Sequence, residues 1–119
     1  VKDTVETQLK GLGSVTAVDR YGGKTAVETS ALIAQACLDA GMHADGVAVA
    51  TIDGYWDALT GAALCGKNGA PLVLASDGNR GAITGFVAGH KADITEAYVF
   101  GGTTAVSDAT YDAVVAALK

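Results

Sequence analysis

The stretch from Tyr55 to Leu74 constrains the fold more than any other part of the chain. Trp56 to Gly66 is a run of small and aliphatic residues and reads as a helix. Gly66 and Gly69 supply a stop, and Pro71 cannot continue a helix. Pro71 to Ala75 then reads as a short buried strand. The run carries almost no reactive side chains. A segment so ordered and so poor in chemistry is a packing unit, and it points to a protein that holds something rather than transforming it.

The same alternation extends in both directions. Residues 2–10 pattern as a short amphipathic helix, with Val5 and Leu9 on one face and Gly11 and Gly13 behind them. Val15 to Val18 is β-prone, continues to Tyr21 and ends at the turn Gly22-Gly23. Thr25 to Ala40 reads as a helix stopped by Gly41. Gly46 to Ile52 is an apolar run suited to a strand covered on both faces. A helix over 80–90, a strand over 97–100 and a helix over 107–118 complete the order. Strands separated by helices predict an α/β fold, a parallel sheet of about four strands with helices on both faces and right-handed crossovers. Val1-Lys2-Asp3 leading to Leu9-Lys10 also echoes Val106-Ser107-Asp108 leading to Leu118-Lys119. That echo fits a single unit taken from a tandem array with a period of roughly 105 residues, or a coincidence between two short helices.

Half of the 119 residues are apolar and 18% are charged, which suits one folded domain. The net charge of -5 argues against a nucleic-acid partner. No apolar run approaches a membrane span, and no signal peptide is visible. Cys37 and Cys65 form no C-x-x-C pair and have no histidine beside them, so metal-ligand spacing is absent. They read as small buried hydrophobes in helices, with a disulfide left open.

Few residues offer chemistry. Gly23-Lys24-Thr25 and Gly61 to Lys67 each approach the phosphate-loop pattern and miss it, by Val18 in one case and Asn68 in the other. The acids are scattered without a paired acid/base spacing, and Ser76 lacks the glycines of a nucleophile elbow. Phe100 to Ser107 reads as a strand, a glycine turn and a helix start. Ser107 is its N-cap, and Val106 and Tyr111 stand at hydrophobic-staple positions. Such a helix start either binds an anion or is ordinary capping. Trp56 beside Tyr55 can stack on a sugar or cover a helix end. Arg20, at the end of an expected strand, is the best single functional charge, since ligands of open α/β sheets favour the carboxyl ends of strands.

Three blocks, in order, resemble the cell wall binding repeat 2 family of Gram-positive surface proteins. Its first block reads V-x-R-I-x-G-x-x-R-Y-x-T-A; Val18, Arg20, Gly23 and Thr29 match it, with Tyr21 and Ser30 as substitutions. Asp57-Ala58-Leu59 and Gly69-Ala70-Pro71-Leu72-Val73-Leu74 match the middle, and Gly101-Gly102 with Ala105-Val106-Ser107 match the end. The second arginine and the tyrosine of the first block are Ala26 and Val27 here, so any contact they make in the family is lost. The resemblance implies non-covalent, non-catalytic attachment of a surface protein to the cell wall. The implied ligand is an anionic wall polysaccharide or teichoic-acid-like polymer, with sister repeats as further partners, no cofactor, and an extracellular location at the wall. Arg20, Gly22, Gly23, Gly101, Gly102 and Ser107 are then the expected ligand-binding residues. A net charge of -5 suits a polyanion poorly, so a bound divalent cation or a basic spot around Arg20 is implied. Two alternatives remain: a small enzyme domain binding a nucleotide or sugar phosphate, and a degenerate repeat that serves only in repeat-repeat assembly.

Overall fold

A computed structural model describes residues 1–119. The elements are α1 (Asp3–Lys10), α2 (Ala26–Asp39), β1 (Gly46–Thr51), α3 (Trp56–Asn68), β2 (Leu72–Ala75), α4 (Gly81–His90), β3 (Glu96–Phe100) and α5 (Asp108–Leu118). The class is α/β as expected. The sheet has three strands rather than about four, in the order β2-β1-β3, with both pairings parallel.

β1 lies at the centre and is buried at all six positions, which explains its unbroken apolar sequence. Its side chains alternate between two faces. Val47 and Val49 join Val73, Ala75, Ile83, Val87, Ala34 and Val114 in one cluster beneath α2, α4 and α5. Ala48 and Ala50 turn the other way, in register with Tyr98 and Phe100, beneath α3. There Gly61 is buried against the Phe100 ring: a Cβ at Gly61 would stand 2.3 Å from it. Small residues let α3 lie close to the sheet, and the phosphate-loop look of Gly61 to Lys67 reflects that packing inside a helix. With α3 on one face and α4 on the other, the two crossovers leave in opposite directions, as right-handed connections in this strand order require. Cys37 and Cys65 are both free thiols. Burial raises the pKa of Cys65.

Val15 to Tyr21 is not a strand. Both edges of β1 are taken by β2 and β3, and residues 16–22 make no backbone–backbone hydrogen bond. Propensity alone does not make a strand without a neighbour to pair with. Helix α1 has no buried residue. Residues 1–23 therefore form an arm, and the molecule extends 48 × 27 × 23 Å. Its radius of gyration is 15.2 Å, against about 13.5 Å for a compact chain of this length.

Candidate functional site

The carboxyl ends of the three strands enclose a cleft of about 110 Å³. The chain leaves β1 toward α3 and leaves β3 toward α5 on the opposite face, so these neighbouring strands part at a topological switch point. Each strand contributes to the cleft: Asp53 follows β1, Ser76 and Asp77 follow β2, and Thr103 to Ser107 follow β3.

Asp77 organises the walls. Its Oδ1 accepts hydrogen bonds from the Ser107 hydroxyl and, at 2.8 Å, from the Thr110 hydroxyl. The Ser107 Oγ in turn accepts the Thr110 amide at 3.2 Å, which is the N-cap of α5. Arg80 spans the same junction. Its Nη1 donates to the Ala109 carbonyl at 2.9 Å, and its Nε and Nη2 donate to the Asp77 carbonyl at 3.2 and 3.0 Å. The hydrogen bonds from Ser107 and then Thr110 hold the Asp77 carboxyl below the usual carboxylate range, with the Arg80 charge assisting. Asp77 is thus an ionised acceptor, the opposite of a general acid raised toward neutral pH.

The loop after β3 is shaped by its glycines. Gly101 has φ 113°, in the left-handed region, and a Cβ there would meet the Ala105 Cβ at 2.7 Å and Asp57 Oδ2 at 2.8 Å. The carbonyl of Gly102 accepts the amides of Ala105 and Val106 at 2.9 and 3.0 Å, closing the turn into α5. The resulting lining presents the hydroxyls of Ser76, Thr103, Thr104, Ser107 and Thr110 and the carboxylates of Asp53 and Asp77. It contains no histidine, cysteine, lysine or arginine. No group of three or more His, Cys, Asp or Glu converges to hold a metal ion. Such a surface can exchange hydrogen bonds with a hydroxylated ligand. At the β1–α3 connection that follows Asp53, Tyr55 and Trp56 stack with ring centroids 4.7 Å apart, and both residues are about two-thirds exposed.

The residues expected from the sequence divide into two groups. Ser107 lines the cleft, with Gly101 and Gly102 at the base of its loop. Arg20, Gly22 and Gly23 border a separate groove of about 520 Å³ against α1, which shares no lining residue with the cleft. Arg20 does not end a strand. Its Nε donates to Glu6 Oε2 at 2.5 Å, its Nη1 to the Val1 carbonyl at 2.9 Å, and its Nη2 lies 3.5 Å from Asp3 Oδ1. Gly23 donates its amide to the Thr29 hydroxyl at 3.0 Å, above the N-terminus of α2. Asp53, Asp77, Arg80 and Thr110 were not singled out by sequence reasoning. For Asp77 and Arg80 the available signal was the polar turn Ser76-Asp77-Gly78-Asn79-Arg80 directly after a buried strand.

Glu6 is clamped by Lys10 at 2.6 Å and by Arg20, and these hydrogen bonds lower its pKa from 4.5 to about 2. A depressed carboxyl contributes its stabilisation in full above its unfolded value and loses it as pH falls through the folded one. The tie between α1 and the Arg20 segment should therefore persist through mildly acidic pH and release only as pH approaches about 2. An NMR titration of the Glu6 carboxyl carbon checks this, and a midpoint near 4.5 refutes the clamp.

A family model for cell wall binding domain 2 (CWB2) matches residues 20–111. The chain belongs to that family. No curated protein and no solved structure matches the chain. The CWB2 match encloses the whole cleft, from Asp53 to Thr110, and begins at Arg20, leaving α1 outside. CWB2 is a family of binding domains associated with the cell wall, not of enzymes. No helix is long and apolar enough to cross a membrane.

Proposed function

We propose that the chain is a non-catalytic repeat of a tandem array that holds its parent protein non-covalently on an anionic cell wall polymer outside the cell. The observation that carries this reading is the CWB2 match across every segment that lines the carboxyl-end cleft. The chemistry of the lining supports a finer assignment. The hydroxyls of Ser76, Thr103 and Thr104, which lie outside the Asp77 network, suit the hydroxyls of a sugar, whereas the carboxylates of Asp53 and Asp77 repel phosphate or uronate groups. The sugar hydroxyls of the polymer enter the cleft, and its charged groups stay outside. The stacked pair Tyr55 and Trp56 offers an exposed aromatic face to a sugar ring.

The test is retention of the full-length parent on purified wall polysaccharide. Thr103 and Thr104 are exposed, and replacing both with valine keeps the loop shape while removing two hydroxyls. At about 1 kcal/mol for each hydrogen bond, binding should weaken about tenfold or more. No retention of the unaltered parent overturns the function. Full retention by the double variant overturns the assignment of the cleft.

One observation favours the reading in which this copy serves only in assembly: Arg20, the expected contact for an anion, is engaged by Glu6, Asp3 and two backbone carbonyls. In the parent, Arg20→Ala with unchanged wall retention would mark Arg20 as the tie that fixes α1.

A further inference from the structure

We propose that the sheet is completed between units: residues Val15 to Tyr21 of one copy add as a fourth parallel strand to the outer edge of β3 in a second copy. Two unsatisfied features meet in this assignment. The first is the edge. β3 pairs only with β1, and no strand or helix covers its other side. Its sequence Glu-Ala-Tyr-Val-Phe has a single charge, no proline and no bulge. Proteins ordinarily blunt an open edge with just those devices, or cover it.

The second feature is the arm. Val15 to Tyr21 contains Val15, Thr16, Val18 and Tyr21, the residue types of a strand. Residues 16–22 nevertheless make no backbone–backbone hydrogen bond, and α1 before them buries nothing. Arg20 ties the arm to itself through its side chain, which leaves the backbone free to pair.

Topology says where such a strand goes. α5 follows β3, and a right-handed crossover after a helix in that position delivers the next parallel strand beside β3, on the side away from β1. The arm has the same order of parts. α1 repeats the Val-x-Asp entry and the Leu-Lys exit of α5. The loop Gly11-Leu12-Gly13-Ser14 then leads to Val15, within the length of ordinary helix-to-strand connections. The arm thus reproduces the helix-loop-strand unit that would close the sheet at β3. Within its own chain the arm leads into α2, which packs on β2 at the opposite edge of the sheet from β3. The contact is head-to-tail, so it extends from unit to unit. It goes beyond the proposed polymer binding and does not depend on it.

The experiment uses the isolated chain with no polymer present. Light scattering coupled to size exclusion, from micromolar to millimolar concentration, should show a mass that rises to at least twice that of the monomer. Hydrogen exchange should show the β3 amides that point away from β1 becoming protected over the same range. Val18→Pro removes an amide from the middle of the donated strand while lying outside the sheet and its core. It should return the mass to monomer and abolish the added protection, with an unchanged circular dichroism spectrum. A monomer at every concentration overturns the proposal. So does association that survives Val18→Pro, or association that leaves the β3 edge unprotected.

Discussion

Replacing Ile83 with alanine is expected to remove about 2–5 kcal/mol of stability, a large share of what a domain of this size possesses. Ile83 is fully buried and is the largest side chain in the cluster with Val47, Val49, Val73, Val87 and Val114. The neighbours are mostly valine and alanine on regular elements, so they cannot move in to fill the space it leaves. Its helix has little else to hold it. α4 contains Gly81, Gly85 and Gly89 within ten residues, and an interior glycine costs a helix about 1 kcal/mol relative to alanine. Burial of Ile83 and Val87 is what offsets those glycines. Urea denaturation should show a lower midpoint with a similar slope. Ile33→Ala is the control: that side chain is 46% exposed on α2 and should cost far less. Equal losses at the two positions would refute the placement of the core.

The fold was legible wherever local pattern and tertiary environment agree. The run Gly46 to Thr51 is apolar at nearly every position because it is buried on both faces, so its sequence and its burial carry the same information. Pro71 marks the entry of β2, where its carbonyl accepts the Ala48 amide at 2.9 Å and its missing amide is not needed. Val15 to Tyr21 shows the limit. It has strand residues, but pairing is a property of two segments, and its own chain brings no strand edge alongside it. The site divides along the same line. Gly101-Gly102 and Ser107 announce a turn and a cap within a few residues. Asp77 gives no such sign. In sequence it is one polar residue of a turn, and its partners Ser107 and Thr110 lie 30 and 33 residues away. The strand end expected at Arg20 is absent for a related reason: the groups that engage Arg20, Glu6 and the Val1 carbonyl, come from the arm rather than from a neighbouring strand.

Two adjacent glycines of one motif should behave in opposite ways. Gly102 has open space where a Cβ would go, and Gly102→Ala should leave stability and wall retention near those of the parent. Gly101→Val should damage both. At φ 113° a β-branched residue carries backbone strain of about 1–3 kcal/mol. Its Cβ would also press on Ala105 and on the Asp57 carboxylate, and overpacking of that kind adds about 1–3 kcal/mol. The Asp57 carboxylate can rotate aside, but Ala105 cannot yield cheaply: its Cβ is carried on a backbone fixed by the bond from its amide to the Gly102 carbonyl. The relief is a shift of the loop that runs from Gly101 to Ser107, and that loop forms one wall of the cleft. Moving it draws Ser107 and Thr110 away from Asp77, the joint between the β2 and β3 loops. The variant should therefore melt well below the parent. At a temperature where it is still folded, it should be retained on wall polysaccharide far less than the Gly102→Ala protein. Retention equal to that of Gly102→Ala would show that the polymer does not use this cleft. Equal stability would show that the Gly101 backbone is free to leave the left-handed region.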